Sequence, residues 1–129
     1  MVSLKIKLFI FLLIATGLTG LIYIKYKDQK VQILYFNNDK CIVDNLTDKL
    51  IRIAKEDFED RIEVQEYNVS LYVGDPPDSE EVKQIRKQYN VTGAPMILIN
   101  EMEYKKEYKV ELFRSEICKI FVIKPLVCL

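Results

Sequence analysis

Histidine is absent from the 129 residues, and that single absence excludes a good deal of chemistry. Without an imidazole there is no Ser-His-Asp or Cys-His nucleophile pair, and most catalytic zinc sites lose a ligand they need. Net charge is missing too: 19 basic residues balance 19 acidic ones, so nothing draws in a polyanion, and nucleic acid is not an expected partner. Cysteine is sparse. The 3 thiols, Cys41, Cys118 and Cys128, include no C-x-x-C pair, which argues against a zinc ribbon; the sequence calls for no metal and no cofactor. Repeats and low-complexity stretches are also lacking. Once the first thirty residues, unlike the rest, are set aside, the length leaves room for one domain of about a hundred residues with a modest core.

Charge is locally absent from Leu8 to Ile24, a run of 17 residues interrupted only by the small or hydroxyl residues Thr16, Gly17, Thr19 and Gly20. As a helix this run is roughly 25 Å long, near the lower limit for crossing the hydrocarbon core. Lys5 and Lys7 precede it and Lys25, Lys27 and Lys30 follow, so flanking charge does not set its orientation. Residues 1–30 are therefore expected to be an uncleaved single-pass anchor. The rival is a signal peptide with a poor small-residue cleavage site at Ala15-Thr16-Gly17 that would leave an apolar stub. A buried helix of a soluble protein is the weaker alternative, because residues 31–129 already make a complete domain.

Val31 to Phe36 is short, apolar and rich in β-branched and aromatic residues, which marks a buried strand. After Asn37-Asn38-Asp39-Lys40 and Cys41, the residues Leu46, Leu50, Ile53, Ala54 and Phe58 recur on one face of a helix ending near Phe58. Ile62 and Val64 alternate with charged residues as a second strand, and Tyr67 to Val73 continues extended with a shifted phase. Asp75-Pro76-Pro77 breaks the chain, and Asp78 with Glu81 reads as a capping box opening a helix with Val82, Ile85 and Tyr89 on its apolar face. Met96 to Ile99 is the next strand, Asn100 to Met102 turns, and Glu103 to Tyr108 alternates Tyr104, Lys106 and Tyr108 on one side as an antiparallel strand. A last helix carries Phe113, Ile117, Ile120 and Phe121. The order is β-α-β-α-β-β-α, an α/β domain with helical crossovers and a terminal hairpin.

Two sites give this order a meaning: Cys41, placed just after a strand where a helix begins, and Tyr89-Asn90-Val91-Thr92-Gly93-Ala94-Pro95-Met96-Ile97-Leu98-Ile99, with a proline directly before a strand. Together they resemble the thioredoxin-like family over roughly residues 31–122. The resemblance implies a three-layer sandwich, a cysteine that attacks disulfides, and a cis proline facing it. Gly93, Ala94 and Pro95 would present an extended substrate segment by strand addition. Here the chain departs from the family pattern: the second cysteine of the usual dithiol falls at Asp44, so the motif reads Cys41-Ile42-Val43-Asp44. The position of the family's buried acid aligns with Tyr35, and Asn37 and Asn38 replace its aromatic approach.

A thiol at a helix start is favoured as thiolate, the nucleophilic form. Lys40 adds to that preference and Asp44 opposes it. A first-turn carboxylate is also ordinary helix chemistry, and Cys41 has an alternative reading as a small packed hydrophobe. A single thiol forms a mixed disulfide but cannot release itself, so it needs an external thiol or a partner oxidoreductase.

Cys118 lies late in the last helix and Cys128 follows Pro125, so close approach is feasible. Their spacing resembles the pair that staples the tail in membrane-tethered thioredoxin-like proteins, which implies an extracytoplasmic domain. Pairing of Cys41 with either one, or two free thiols, remains open on counting alone. Sequons at Asn45, Asn68 and Asn90 point weakly the same way, with Asn68 the only comfortable acceptor and absence of modification the simpler reading. The sequence thus leads to a membrane-anchored protein in thiol–disulfide exchange acting on protein thiols or disulfides. The alternative is a redox-inactive thioredoxin-fold module that binds partner proteins on its proline-loop surface.

Overall fold

Strand β1 (Val31–Asn37) is the centre of the molecule because both its faces are apolar. Its alternation sends Val31, Ile33 and Tyr35 into one hydrophobic cluster and Leu34 and Phe36 into another on the opposite side of the sheet. The structure is a computed structural model that describes residues 4–40 and 44–129. Strand β2 (Ile62–Asn68) pairs with β1 in parallel, from Val31 opposite Ile62 to Asn37 opposite Asn68. On the other side β3 (Met96–Ile99) runs antiparallel, from Ile33 opposite Ile99 to Phe36 opposite Met96, and β4 (Met102–Glu103) closes a hairpin with it. The sheet order is β2-β1-β3-β4.

Helix α1 (Leu4–Lys27) precedes this sheet, and helices cover both faces of it. Leu50, Ile51, Ala54 and Phe58 of α2 (Asp44–Phe58) and Phe113 and Ile117 of α4 (Val110–Ile120) seal the Ile33 face. Val82 and Ile85 of α3 (Glu80–Gln88) pack over the Phe36 face with Val91 and Leu98. Helix, sheet and helix make the three layers of a thioredoxin-like fold, in the order the sequence analysis expects. None of the residues of α1 is buried, and by length and composition it is long and apolar enough to cross a membrane. Its hydroxyls do not spoil that character: Thr16 donates to the Leu12 carbonyl and Thr19 to that of Ala15, each at 3.0 Å.

Several expected details are corrected. On α2, Leu46 is exposed and Ile53 only half-buried, while Thr47 and Ile51 are buried, so the apolar stripe is rotated from the expected one. Helix α3 is capped by Ser79, whose hydroxyl accepts from Val82 N at 3.2 Å, rather than by an Asp78–Glu81 box. Asp78 is engaged elsewhere, accepting from Ser70 N and from Arg86. The extended stretch expected from Tyr67 to Val73 stops at Asn68, because Asp75 gathers the Leu71 and Tyr72 amides, each at 2.9 Å, into a turn. Strand β4 ends at Glu103 instead of running to Tyr108. Burial of aromatic surface bends it away: Tyr104 packs edge-on against Phe113, with ring centroids 5.1 Å apart, and stacks on Tyr108. Phe121 lies just past the end of α4, not within it.

Candidate functional site

The carboxyl end of β1 meets the proline loop. Phe36 faces Met96 across the β1–β3 ladder, so Pro95 comes level with Asn37, shortly before Cys41 in the chain. The Ala94–Pro95 peptide bond is cis. Cys41 lies outside the described residues, and Asp44 opens the described part of α2.

The proline loop is aimed by the end of α3. Asn90 takes a left-handed conformation, φ 52°, one residue past the cap Tyr89. Val91 N then donates back to the Arg86 carbonyl at 2.8 Å and Asn90 N to that of Lys87 at 3.5 Å, the paired bonds of a Schellman motif. Val91 is thereby driven into the Phe36 cluster, and Thr92-Gly93-Ala94 carries the chain across to the sheet. On the far side the Tyr108 hydroxyl donates to the Pro95 carbonyl at 3.4 Å.

The loop entering Cys41 is held by the carboxylate of Asp75, in a run that reads in sequence only as a chain break. Asp75, with its side chain 4% exposed, accepts from Asn38 Nδ2 at 2.9 Å and from the Leu71 and Tyr72 amides, and pairs with Lys40 Nζ at 2.5 Å. The Lys40 ammonium first, then the two amides, hold this carboxyl well below the usual carboxylate range against the opposing effect of desolvation. Buried Asn38 also donates to the Val69 carbonyl at 2.7 Å and accepts from Lys40 N at 3.0 Å. Lys40 was expected to favour a thiolate at Cys41; its ammonium sits on Asp75 and braces the loop. The signal that could have found this hub is Asn37-Asn38-Asp39 together with Asp75-Pro76-Pro77, two runs of residues that bond readily to nearby backbone.

Beside this loop a cleft of about 410 Å³ is lined by Lys40, Tyr67, Asn68, Asp75, Pro77 and Val82, among others. Tyr35 is 1% exposed and donates to Asp48 Oδ1 at 2.7 Å, so the position aligned with the family's buried acid holds a phenol tied to a carboxylate on α2. Among the described residues, two buried side-chain oxygens have no hydrogen-bond partner, Asn37 Oδ1 and Thr47 Oγ1, and both flank the β1–α2 junction. No cluster of described residues has the composition of a metal site.

Cys118 and Cys128 are disulfide-bonded, with Cα atoms 5.5 Å apart. They belong to the opposite end of the domain: Ile120, close to Cys118, bonds through its carbonyl to Gln29 just ahead of β1, whereas Cys41 follows the other end of that strand, about 20 Å away by strand geometry. Of the sequon asparagines, Asn68 donates to Asp39 at 2.7 Å, Asn90 forms the helix stop, and Asn45 is exposed on α2.

No family model matches the chain, and no curated protein matches it. Among solved structures it is similar to a zinc-bound form of human ERp44, with 17% identity and TM-score 0.47 over 73% of this chain and 27% of that one. It is similar also to oxidised thioredoxin O2 from Arabidopsis thaliana, with 15% identity and TM-score 0.47 over 74% and 81%. A third similarity is to the first two thioredoxin domains of Naumovozyma dairenensis Eps1p, with 16% identity and TM-score 0.46 over 74% and 38%. The chain spans about a quarter of the ERp44 chain that it matches.

Proposed function

We propose that this protein is anchored in a membrane by residues 1–30 and that residues 31–129, on the extracytoplasmic side, carry out thiol–disulfide exchange through Cys41. The observation that carries the reading is the β1–β3 register, which brings the Ala94–Pro95 loop level with the end of β1 that hands the chain on to Cys41. The exposed apolar helix α1 supports the anchor, and the Cys118–Cys128 disulfide supports an oxidising compartment.

In the proposed reaction the Cys41 thiolate attacks one sulfur of a substrate disulfide, forming a mixed disulfide and expelling the other sulfur as thiolate. Gly93, Ala94 and Pro95 hold the substrate segment beside it. The amide groups at the start of α2 favour the thiolate, while Lys40 and Asp75 keep the entering loop in place. Asp44 carries no sulfur and cannot resolve the adduct. An external thiol or a partner oxidoreductase attacks the substrate sulfur of the mixed disulfide, takes over the substrate and returns Cys41 as thiolate.

The test is adduct formation by the full-length protein in detergent with a small disulfide reagent at neutral pH. The expected result is a stable adduct at Cys41, faster than with free cysteine and cleared by added thiol, with Asp44→Cys converting slow external release into fast internal release. An inert Cys41 in folded protein, with no exchange conferred by Asp44→Cys, would leave the partner-binding module as the reading.

A further inference from the structure

We infer that Val122, Leu126 and Leu129 form a second membrane contact, seated in the lipid headgroup layer through which α1 emerges; the inference rests on α1 spanning a bilayer as proposed above. These side chains are 63%, 89% and 90% exposed, while the intervening Ile123, Pro125 and Val127 are half-buried, so the segment keeps one side on the domain and turns apolar residues outward. A short exposed apolar row is unremarkable alone. Its fastenings and its position give it an occupant.

The fastenings prevent collapse of the row onto the core. Gln29 Nε2 donates to the Ile120 carbonyl at 3.2 Å, and Val122 N donates to Gln29 Oε1 at 3.3 Å. Arg61 bridges the same two strips of chain, donating to the carbonyls of Gln29 and Ile123, each at 3.2 Å, with its guanidinium 4.7 Å from the centre of the Phe121 ring. Beyond them the disulfide ties Cys128 to α4.

The position follows from chain length. Gln29 comes two residues after Lys27, the last residue of α1. Since each residue spans at most about 3.6 Å and the Gln29 side chain reaches a few ångströms further before its 3.3 Å bond, the Val122 backbone stays within roughly 15 Å of the end of that helix. A headgroup layer is about 5 to 8 Å thick on each side of the hydrocarbon, and interfacial segments bury about 5 to 10 Å into the boundary. Exposed Lys25, Lys27 and Lys30 lie along the junction between α1 and β1 and exposed Lys124 within the segment itself, with Asp28, Glu59 and Asp60 as acids close to them or to Arg61 in the chain, a basic balance that suits a surface containing anionic lipid. The occupant is therefore the bilayer that holds α1, continuous with the anchor itself.

The chain has no tryptophan, so single-tryptophan variants report without background. Full-length Leu126→Trp, Tyr23→Trp and Tyr72→Trp would each be reconstituted in vesicles of phosphatidylcholine and phosphatidylglycerol, with and without lipid brominated near the top of its acyl chains. Tyr23 lies in α1, and Tyr72 is exposed on the turn held by Asp75, at the far end of the domain. The expected result is bromine quenching of Tyr23→Trp and Leu126→Trp, the latter by roughly twofold, as for an interfacial ring, with Tyr72→Trp unaffected. Quenching of Tyr23→Trp without Leu126→Trp overturns the inference and leaves the anchor standing. Loss of quenching at Tyr23→Trp overturns both. A blue shift of Leu126→Trp without quenching puts a protein on the row, and equal quenching of Tyr72→Trp removes its specificity; either result overturns the inference.

Discussion

Asp75 shows how one residue outside the expected motif governs the approach to Cys41. Its carboxyl is held low chiefly by the Lys40 ammonium, so the folded state favours the ionised form more than the unfolded chain does, where an ordinary aspartate titrates at about 3.9. The sign follows from linkage: the stabilisation is fully present above that unfolded value and is lost as pH falls through the depressed folded one. Asp75→Asn should therefore lower stability at neutral pH and flatten its decline at acid pH, measured by urea unfolding at a series of pH values. A decline identical to that of the parent would show that the carboxylate does not hold the loop. Lys40→Met should lower stability at neutral pH and make its acid decline shallower than the parent's, though less so than Asp75→Asn, because it removes the largest cause of the depression while the two amides remain. Lys40 is 55% exposed, so added salt should mimic that substitution only in part.

Among the elements, those with a strong period or a turn residue were legible in sequence, and those decided by a partner elsewhere were not. The doubly apolar β1, the helix breaker at Pro76 and the proline before β3 follow from local chemistry. The extent of β4 does not, because its alternation is overruled by Tyr104 turning inward against Phe113. The rotated face of α2 was hidden for a similar reason: Thr47 is polar in sequence yet fully buried, while apolar Leu46 is left outside. Within the site, Pro95 could be read from its setting, whereas Asp75 finds Lys40 only once the chain has folded.

Two turns give checks on this local chemistry. Asn100 and Glu101 both have positive φ, 45° and 68°, in the hairpin between β3 and β4, the pattern of a turn that favours glycine at its second central position. Glu101→Gly should raise stability by about 1 kcal/mol, less whatever its exposed bond from Tyr89 contributes. Asn90→Gly should be tolerated by the Schellman stop, while Asn90→Val should cost about 1 to 2 kcal/mol and displace the proline loop that α3 aims. Chemical denaturation of the three variants checks both turns, and loss of stability in Asn90→Gly would count against the left-handed stop.

Across the whole molecule the two ends of β1 carry different duties. The carboxyl end presents the cis proline and leads to Cys41, while the amino end gathers Gln29, Arg61, the end of α4 and the segment that follows it into one fastening close to α1. Only three residues separate the last residue of α1 from the first of β1, and Gln29 among them is bonded to the domain, so little slack lies between anchor and sheet. The disulfide adds a second, independent fastening across a sequence separation of 10 residues. In the chain-entropy account, a loop of that size contributes about 2 to 3 kcal/mol. Cys128→Ser should accordingly lower unfolding stability by about that amount while leaving the fold, since Phe113 and Ile117 hold α4 to the core without it. The same substitution releases Leu126 but not Val122, which Gln29 still holds. In hydrogen-exchange measurements on reconstituted protein, Cys128→Ser should expose amides at 126–129 and leave the Val122 amide protected; equal loss at both would mean that the segment is held as one unit by the disulfide alone.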